Sequence, residues 1–581
     1  MDPLPLVLAV GFCIALVCIL VFVSVRQMFT RAVLRLIDAL ESARRGEQDA
    51  VSHAELPELL RPLSREIVRV SESLMRARVV ASEEARLRME KLDSPWTSAR
   101  LAEFAKATLR NRRLVLVSNR EPYLHYHDQA DAQRIRWMVP AGGAVTALES
   151  VMEACGGTWI AFGSGDADRE VVGPDDTVAV PPDHPTYMLR RVWLTPEEVA
   201  GYYDGFSNEA LWPLFNQVHV RPRFRAEDWL AYRTVNGTFA KTVLHEIEGA
   251  DQPLVLIQDY HLALLPALVK RARPDALVSI FWHVPWPSSA AFSICPWRHE
   301  ILEGLLGADL IGFHTQQYCN DFLDTVANEL EARIDLERAT VTSAAHTTSI
   351  RPFPISVAFP GEAEPLAPAA PDTAARFGVS TTSFGLGVDR LDYTKGLMER
   401  FKALEVLFER YPEWVGAFTF LQIAAPTRTG VARYREYAEE VAKEAERINA
   451  RFGTDVWWPI VLLRRNVPRE ELIPLYQSAR VCLVTSLHDG MNLVAKEYVA
   501  ARSDEGGALV LSQFAGAAHD LTGAFIVNPY SAESVADALN DALALSPAGQ
   551  YRRMKMMRAS VADYNVFRWA AELIKALTRL G

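Results

Sequence analysis

Cysteine is scarce in this chain of 581 residues: there are six, and no two stand at the spacing of a metal knuckle or a redox pair. Cys13 and Cys18 fall in an apolar N-terminal run, while Cys155, Cys295, Cys319 and Cys482 are scattered. That usage argues against a disulfide scaffold and suits a reducing compartment. Neither a metal site nor a bound cofactor is expected. Basic residues are outnumbered as well, 61 Lys and Arg against 72 Asp and Glu, for a net charge of −11. Such a balance speaks against a nucleic-acid partner, although local basic clusters remain able to hold phosphate groups. No internal repeat stands out.

What is present is ordinary globular material, 49% hydrophobic and 23% charged, in a chain too long for one core. Two or more domains are therefore expected. Residues 4–25 carry no charge and are long enough as a helix to cross a hydrocarbon core of about 30 Å. The start Met1-Asp2-Pro3 lacks the basic region of a cleavable signal, and Arg26, Arg31 and Arg35 follow the run. By the positive-inside rule this reads as a retained single-pass anchor in the inner (cytoplasmic) membrane, with the remainder in the cytoplasm.

Residues 27–110 read as helical and charged. Val33, Leu36, Ile37 and Leu40 form one apolar stripe, and Leu63, Ile67, Val70 and Leu74 repeat with the spacing of a coiled-coil seam. Span, helix, connector and helix together resemble a HAMP-type linker; a solvated helical stalk is the alternative. Either way the seam needs a partner, which predicts a homodimer.

From Arg113 the pattern changes to short apolar runs separated by helical stretches. Residues 114–117, 158–162, 253–258, 277–282 and 310–313 read as strands covered on both faces, giving a first doubly wound α/β domain over 111–362. A stretch rich in Pro, Ala and Glu at 361–382 suits a linker. Strands at 383–388, 417–423, 460–463, 481–485, 508–511 and 524–527 predict a second such domain over 383–565. Residues 566–581 read as a final helix packing back on the first domain. Two open α/β sheets facing each other make a cleft at their strand C-terminal ends, where such folds bind ligands.

Several loops at those ends carry chemistry. Asp489-Gly490-Met491-Asn492-Leu493-Val494 runs from a buried strand through a glycine turn into a helix, the geometry in which free N–H groups meet a phosphate. Glu497 lies two helical turns on, so both carboxylates can face one cleft. Carboxylates that grip sugar hydroxyls beside a diphosphate suggest a nucleotide-sugar site; a capped helix with an exposed Glu is the alternative. Arg390 and Lys395 follow the first strand of the second domain and can converge on one anion. A surface salt bridge to Asp389 or Asp392 is the rival reading. In the first domain Asp259 and His283 end neighbouring strands and can bind sugar hydroxyls, a packing histidine being the alternative. Gly142 and Gly143 enter a helix and permit close approach of a ligand, although a mere turn is the better reading of the pair alone. Tyr203 and Trp212 can wall a sugar pocket, core aromatics being the commoner explanation, with Arg120 and Arg428 able to take a phosphate.

In order along the chain stand V-S-N-R, Y-Y-x-x-F-S-N-x-x-L-W-P, D-Y-H-L, H-x-P-x-P, R-L-D-Y-x-K-G, D-G-M-N-L-V-A-K-E-Y and L-S-Q-F-A-G-A-A. This combination resembles the retaining glycosyltransferases of family 20, the trehalose-6-phosphate synthases, over residues 113–580. The resemblance implies the GT-B architecture and transfer of glucose from UDP-glucose to glucose 6-phosphate. It implies donor binding by Gly142, Gly143, Arg390, Lys395, Asp489, Gly490, Met491, Asn492, Leu493, Val494 and Glu497. It places Arg120, Tyr203, Trp212, Asp259 and Arg428 on the acceptor, and Asp259, His283, Arg390, Lys395 and Asp489 at the reacting centre. No covalent nucleophile is implied, and no carboxylate in the chain is obviously placed to be one. Two departures touch the acceptor side: a long polar loop from His125 to Arg136, and Phe162 where bacterial members carry tryptophan. They keep open another phosphorylated acceptor, as in a glucosylglycerol-phosphate synthase, and the HAMP-like segment keeps open a non-catalytic membrane sensor of sugar phosphates.

Overall fold

A computed structural model describes residues 22–28, 30, 31 and 95–581, apart from 111, 129, 130, 132, 141, 345, 361–365, 368 and 371. The chain divides into two compact units, 1–95 and 96–581. In the first, residues 22–28, 30 and 31 are helical and exposed. Apart from 22–25, the expected membrane span lies outside the described residues, as do the apolar stripe and the coiled-coil seam. Among the described residues no helix is long and apolar enough to cross a membrane.

The second unit is built on two sheets. The first contains β1 (Leu114–Arg120), β4 (Thr158–Phe162), β5 (Thr177–Val180), β6 (Tyr187–Val192), β7 (Leu254–Gln258), β8 (Leu277–Phe281) and β9 (Leu310–Phe313). It is completed by β10 (Arg333–Asp335), β11 (Thr340–Ser343) and β12 (His346–Pro352). Its spatial order is β10-β11-β12-β9-β8-β7-β1-β4-β6-β5, parallel from β12 to β6 with antiparallel edges. The continuous runs that suggested two-sided burial do sit that way: Leu114 to Val117 and all of Leu254 to Gln258 are buried. The second sheet is fully parallel, in the order β15 (Ile460–Leu463), β14 (Phe418–Ala425), β13 (Ser383–Arg390), β16 (Val481–Val484), β17 (Ala508–Ser512), β18 (Phe525–Val527).

Both sheets start in the middle and reverse direction once. In the second lobe the reversal lies between β13 and β16; in the first, between β1 and β7. A crevice opens outside the strand ends at such a point, because the flanking connections leave on opposite faces. Arg390 ends β13 and Arg120 ends β1, so a cation stands at each reversal.

Four features depart from the sequence expectation. Ser98–Leu109, assigned to the helical linker at 27–110, packs on the first lobe through Leu101, Ala105 and Leu109, against helices Gly143–Cys155 and Val566–Thr578. The polar loop from His125 to Arg136 is a hairpin of β2 (Leu124–His127) and β3 (Ile135–Met138), whose strands pair antiparallel. The hairpin at β10 and β11 and the edge pair β5 and β6 were not anticipated either. In β6 the pair Arg190-Arg191 hides the strand, since adjacent arginines read as surface.

Arg191 is fully buried because its partners are: Nε donates to Glu121 at 2.9 Å, and Nη2 lies 2.8 Å from an Asp168 oxygen and 2.8 Å from His125 Nδ1. Burial, with Asp168 nearby, pushes the Glu121 carboxyl up to about 7 despite the guanidinium. Asp168 also accepts from the His125 and Gly165 backbone N–H groups, which ties the β2–β3 hairpin to this cluster. Removing one member of a buried charge cluster leaves the others uncompensated. Arg191→Met is expected to destabilise the second unit by about 3–5 kcal/mol, read as an earlier urea unfolding midpoint; a midpoint equal to wild type would show the charges to be uncoupled.

Candidate active site

In the second lobe the β13 connection is short. Asp392 Oδ1 accepts from the Thr394 backbone N–H and hydroxyl, each at 3.0 Å, and so caps the 3-10 turn Tyr393–Lys395. The buried Arg400 holds the far end, donating through Nη2 to the Lys395 carbonyl at 3.3 Å. Gly396 follows at φ 66°, where a Cβ would stand 2.2 Å from the Thr485 carbonyl, so the turn lies against the end of β16. This brings Lys395 Nζ to 2.5 Å from Asp489 Oδ2. Burial opposes the Asp489 carboxylate, but the Lys395 ammonium, hydrogen bonds from Lys395 and Asn492, and Arg390 outweigh it and hold the group below its ordinary value.

Asn492 occupies the position before helix Leu493–Ala501 at φ 71°, a region Asn tolerates better than most residues. Its Oδ1 accepts from the Ala495 N–H while its Nδ2 donates to Asp489 at 3.0 Å, so one side chain caps the helix and orients the carboxylate. Leu493 and Val494 stand in the first turn of the helix, where backbone N–H groups have no intrahelical acceptor. Farther along, Glu497 accepts from the Tyr476 hydroxyl at 3.1 Å, and burial raises its pKa although Arg469 works the other way.

Two glycines mark where the lobes touch. A Cβ on Gly490 would lie 1.9 Å from the His283 carbonyl, and one on Gly143 would lie 2.9 Å from the Leu493 Cβ. Gly142, by contrast, has open space around it.

The first lobe supplies Asp259, just past β7, at φ 71° and ψ 170°, an unusual conformation of the kind stored at functional sites. Burial pushes its carboxyl up to about 6, partly offset by the Tyr260 and His283 backbone N–H groups and by Arg428 and Arg390. His283 donates its backbone N–H to Asp259 at 3.1 Å, and its Nε2 pairs with Gln258 Oε1 at 2.9 Å. Burial lowers the imidazole to about 3, so the ring is neutral at physiological pH.

Tyr203 sits in a π-helical stretch, Ala200–Leu211, and stacks on His261 with ring centroids 5.8 Å apart. Burial disfavours its phenolate, yet Arg120, Arg428 and Arg390 bring the hydroxyl down to about 8. Arg120 Nη2 donates to that hydroxyl at 3.3 Å. Arg428 reaches across from the second lobe. Its guanidinium lies 3.9 Å from the Trp212 ring centroid and donates to Asp392 at 3.1 Å, Tyr434 at 2.5 Å and Tyr260 at 3.2 Å. Its Nε is buried without a hydrogen-bond partner, as are Trp212 Nε1 and His261 Nε2.

These groups line one cavity of about 450 Å³. Every candidate binding or catalytic residue named from the sequence reaches it: Arg120, Gly142, Gly143, Tyr203, Trp212, Asp259, His283, Arg390, Lys395, Arg428, Asp489 to Val494, and Glu497. The lining also includes residues the sequence reading passed over, among them Asn216, Asn466, Arg469 and Tyr476. Arg469 and Tyr476 stand on a helix after β15, and nothing in their own stretch marks them; only the Tyr476 bond to Glu497 does. Of the two departures thought to touch the acceptor side, neither Phe162 nor the described residues of the loop at 125–136 line the cavity. Phe162 ends β4 and packs into the first-lobe core, and the β2–β3 strands stand off, leaving Val139 and Pro140 beyond them on the wall.

Residues 112–579 match the family model of glycosyltransferase family 20. The chain is 40% identical over 487 residues to a trehalose-6-phosphate synthase of Mycolicibacterium smegmatis, covering 80% of this chain and 92% of that protein. It is 35% identical to the alpha,alpha-trehalose-phosphate synthase [UDP-forming] of Pichia angusta, over 80% of this chain and 99% of the other. Its structure resembles one described as trehalose-6-phosphate from E. coli bound with UDP-2-fluoro glucose, with TM-score 0.70, 32% identity, and 80% and 99% of the two chains covered. The same figures hold for an alpha,alpha-trehalose-phosphate synthase (UDP-forming) of Burkholderia xenovorans in complex with glucose-6-phosphate. With its seven motifs carried on two facing doubly wound sheets, and with these matches over four fifths of its length, the chain belongs to glycosyltransferase family 20.

Proposed function

We propose that this chain transfers glucose from UDP-glucose to glucose 6-phosphate, with retention, to form α,α-trehalose 6-phosphate and UDP. One observation carries the reading: a single cavity presents two cationic groups of different make. Arg390 and Lys395 stand beside the Asp489 carboxylate at the entrance to helix Leu493–Ala501, a setting for a nucleoside diphosphate. Arg120 and Arg428 stand with Tyr203 and Trp212, a setting for a sugar phosphate. The solved relatives with a UDP-sugar analogue and with glucose 6-phosphate support both assignments.

In this reading Glu497 takes the ribose, and the backbone of Met491 to Val494 takes the diphosphate and nucleoside. As the bond to the anomeric carbon breaks, negative charge grows on the departing diphosphate. Lys395 and Arg390 stabilise that charge most where it is greatest, and so lower the barrier. Lys395 turns part of its contact from Asp489 to the diphosphate, and Asp489 accepts from the sugar hydroxyls instead. The leaving phosphate takes the acceptor proton on the same face, so no side chain is needed as a nucleophile. Asp259 and the neutral His283 hold sugar hydroxyls at the reacting centre.

The full chain is expected to release UDP from UDP-glucose with glucose 6-phosphate and not with glycerol 3-phosphate. Lys395→Ala should lower kcat by about 10²–10³ with the fold unchanged; turnover near wild type would remove its assigned role, and release with glycerol 3-phosphate alone would reassign the acceptor. Because the Asp259 carboxyl lies at about 6, its charged form is lost as pH falls through that value. The profile of kcat/KM should therefore fall on the acid side of about pH 6, and Asp259→Asn should flatten that limb.

We further infer that residues 4–25 anchor the chain in the inner membrane and that the seam at Leu63, Ile67, Val70 and Leu74 pairs two copies. Their apolar length and their heptad spacing support this. Carbonate-washed membranes should retain the full chain and lose a chain that starts at Pro95, and light scattering of the detergent-solubilised protein should give a dimer. Release of the full chain by carbonate would remove the anchor.

A further inference from the structure

Resting on the function proposed above, we infer that Asp392 is a positioning residue that couples the donor and acceptor subsites through its two carboxylate oxygens. The side chain is fully buried, and its two oxygens serve different groups, one the Thr394 turn and the other the arginines beside it. Oδ1 accepts from the Thr394 N–H and hydroxyl at 3.0 Å, which shapes the turn that presents Lys395 to Asp489. Oδ2 receives Arg428 Nη1 at 3.1 Å and stands 4.0 Å from Arg390 Nη2.

Why a carboxylate is needed follows from the aromatic ring beside it. The Arg428 and Arg390 guanidiniums lie 3.9 Å and 5.5 Å from the centroid of the same Trp212 ring. Two like charges so close, one of them buried, repel each other strongly in a medium that screens poorly. One buried anion serving both relieves that repulsion and leaves the group with a net positive charge for incoming phosphates. Tyr434 and Tyr260 bind Arg428 as well, but as neutral hydroxyls they orient without cancelling charge.

Because the two oxygens do different work, substitutions separate them. Asp392→Asn keeps an acceptor for the Thr394 turn and replaces the oxygen facing Arg428 with a donor. Asp392→Ala removes both. Binding is measured by calorimetry with UDP and with glucose 6-phosphate as probes, on the full chain. Asp392→Asn is expected to weaken glucose 6-phosphate by about tenfold or more while UDP changes by less than about threefold. Asp392→Ala is expected to weaken both ligands by about tenfold. Thr394→Val, which alters no charge, should weaken UDP by about threefold and leave glucose 6-phosphate alone.

A residue that merely supports the fold would lower the melting temperature and shift both ligands alike in both Asp392 variants, and that result overturns the assignment. So does unchanged glucose 6-phosphate affinity in Asp392→Asn, or unchanged UDP affinity in Thr394→Val. Should Asp392→Asn fail to fold, Thr394→Val decides the matter on the donor side. A wild-type chain that binds both ligands without releasing UDP would defeat the proposed reaction alone, and the variant affinities would still judge Asp392.

Discussion

Crowding of like charge is the constraint around which this molecule is arranged. Arg120, Arg390, Lys395 and Arg428 line one cavity, with Arg428 almost wholly buried. Guanidinium and ammonium groups removed from water tolerate one another only where carboxylates and ring faces stand among them. Asp489 neutralises Lys395, Asp392 neutralises Arg428, and Trp212 offers its face to two arginines. The two carboxylates sit on loops whose backbones are fixed by further bonds, while Trp212 opens the helix Trp212–Asn216. The capped turn at Tyr393–Lys395 and the Asn492 cap before helix Leu493–Ala501 are the clearest cases.

The fold supplies the place for this arrangement. Both sheets reverse strand order once, and each reversal puts an arginine at the end of a central strand. The lobes then close on one another at backbone distance, at Gly490 against His283 and at Gly143 against Leu493. Side chains at those two positions would hold the lobes apart and separate Asp259 and His283 from Asp489. The positive φ values of Asp259, Arg428 and Asn492 belong to the same economy. Each lies on a loop outside a strand end, where the chain must turn sharply while keeping a polar group aimed at the cavity.

Local sequence carried much of this. Continuous apolar runs marked the parallel strands because two covered faces leave no room for alternation. Glycine turns before helices, and cations just past strands, marked the loops. Other elements were hidden for physical reasons. β6 reads as surface because of Arg190 and Arg191, yet Glu121 and Asp168 draw Arg191 inside from distant parts of the chain. The stretch from His125 to Arg136 is polar enough to pass for a loop, but cross-strand pairing and the Asp168 bond to the His125 N–H make it a hairpin. Ser98–Leu109 looked like the end of a stalk because its apolar stripe does not say which surface will cover it.

By itself the sequence determined the α/β class, the two-lobed plan and many of the residues that reach the cavity, since these follow from short-range pattern and from residue types suited to anions and sugars. It did not mark Asn216, Asn466, Arg469 or Tyr476. Only the tertiary structure decided who pairs with whom. That Lys395 meets Asp489, that Asp392 serves both Thr394 and Arg428, and that Tyr476 holds Glu497 depend on where strand ends arrive in space. Charges far apart along the chain compete for a few buried partners, and that competition is settled by distances of a few ångströms which no local pattern encodes.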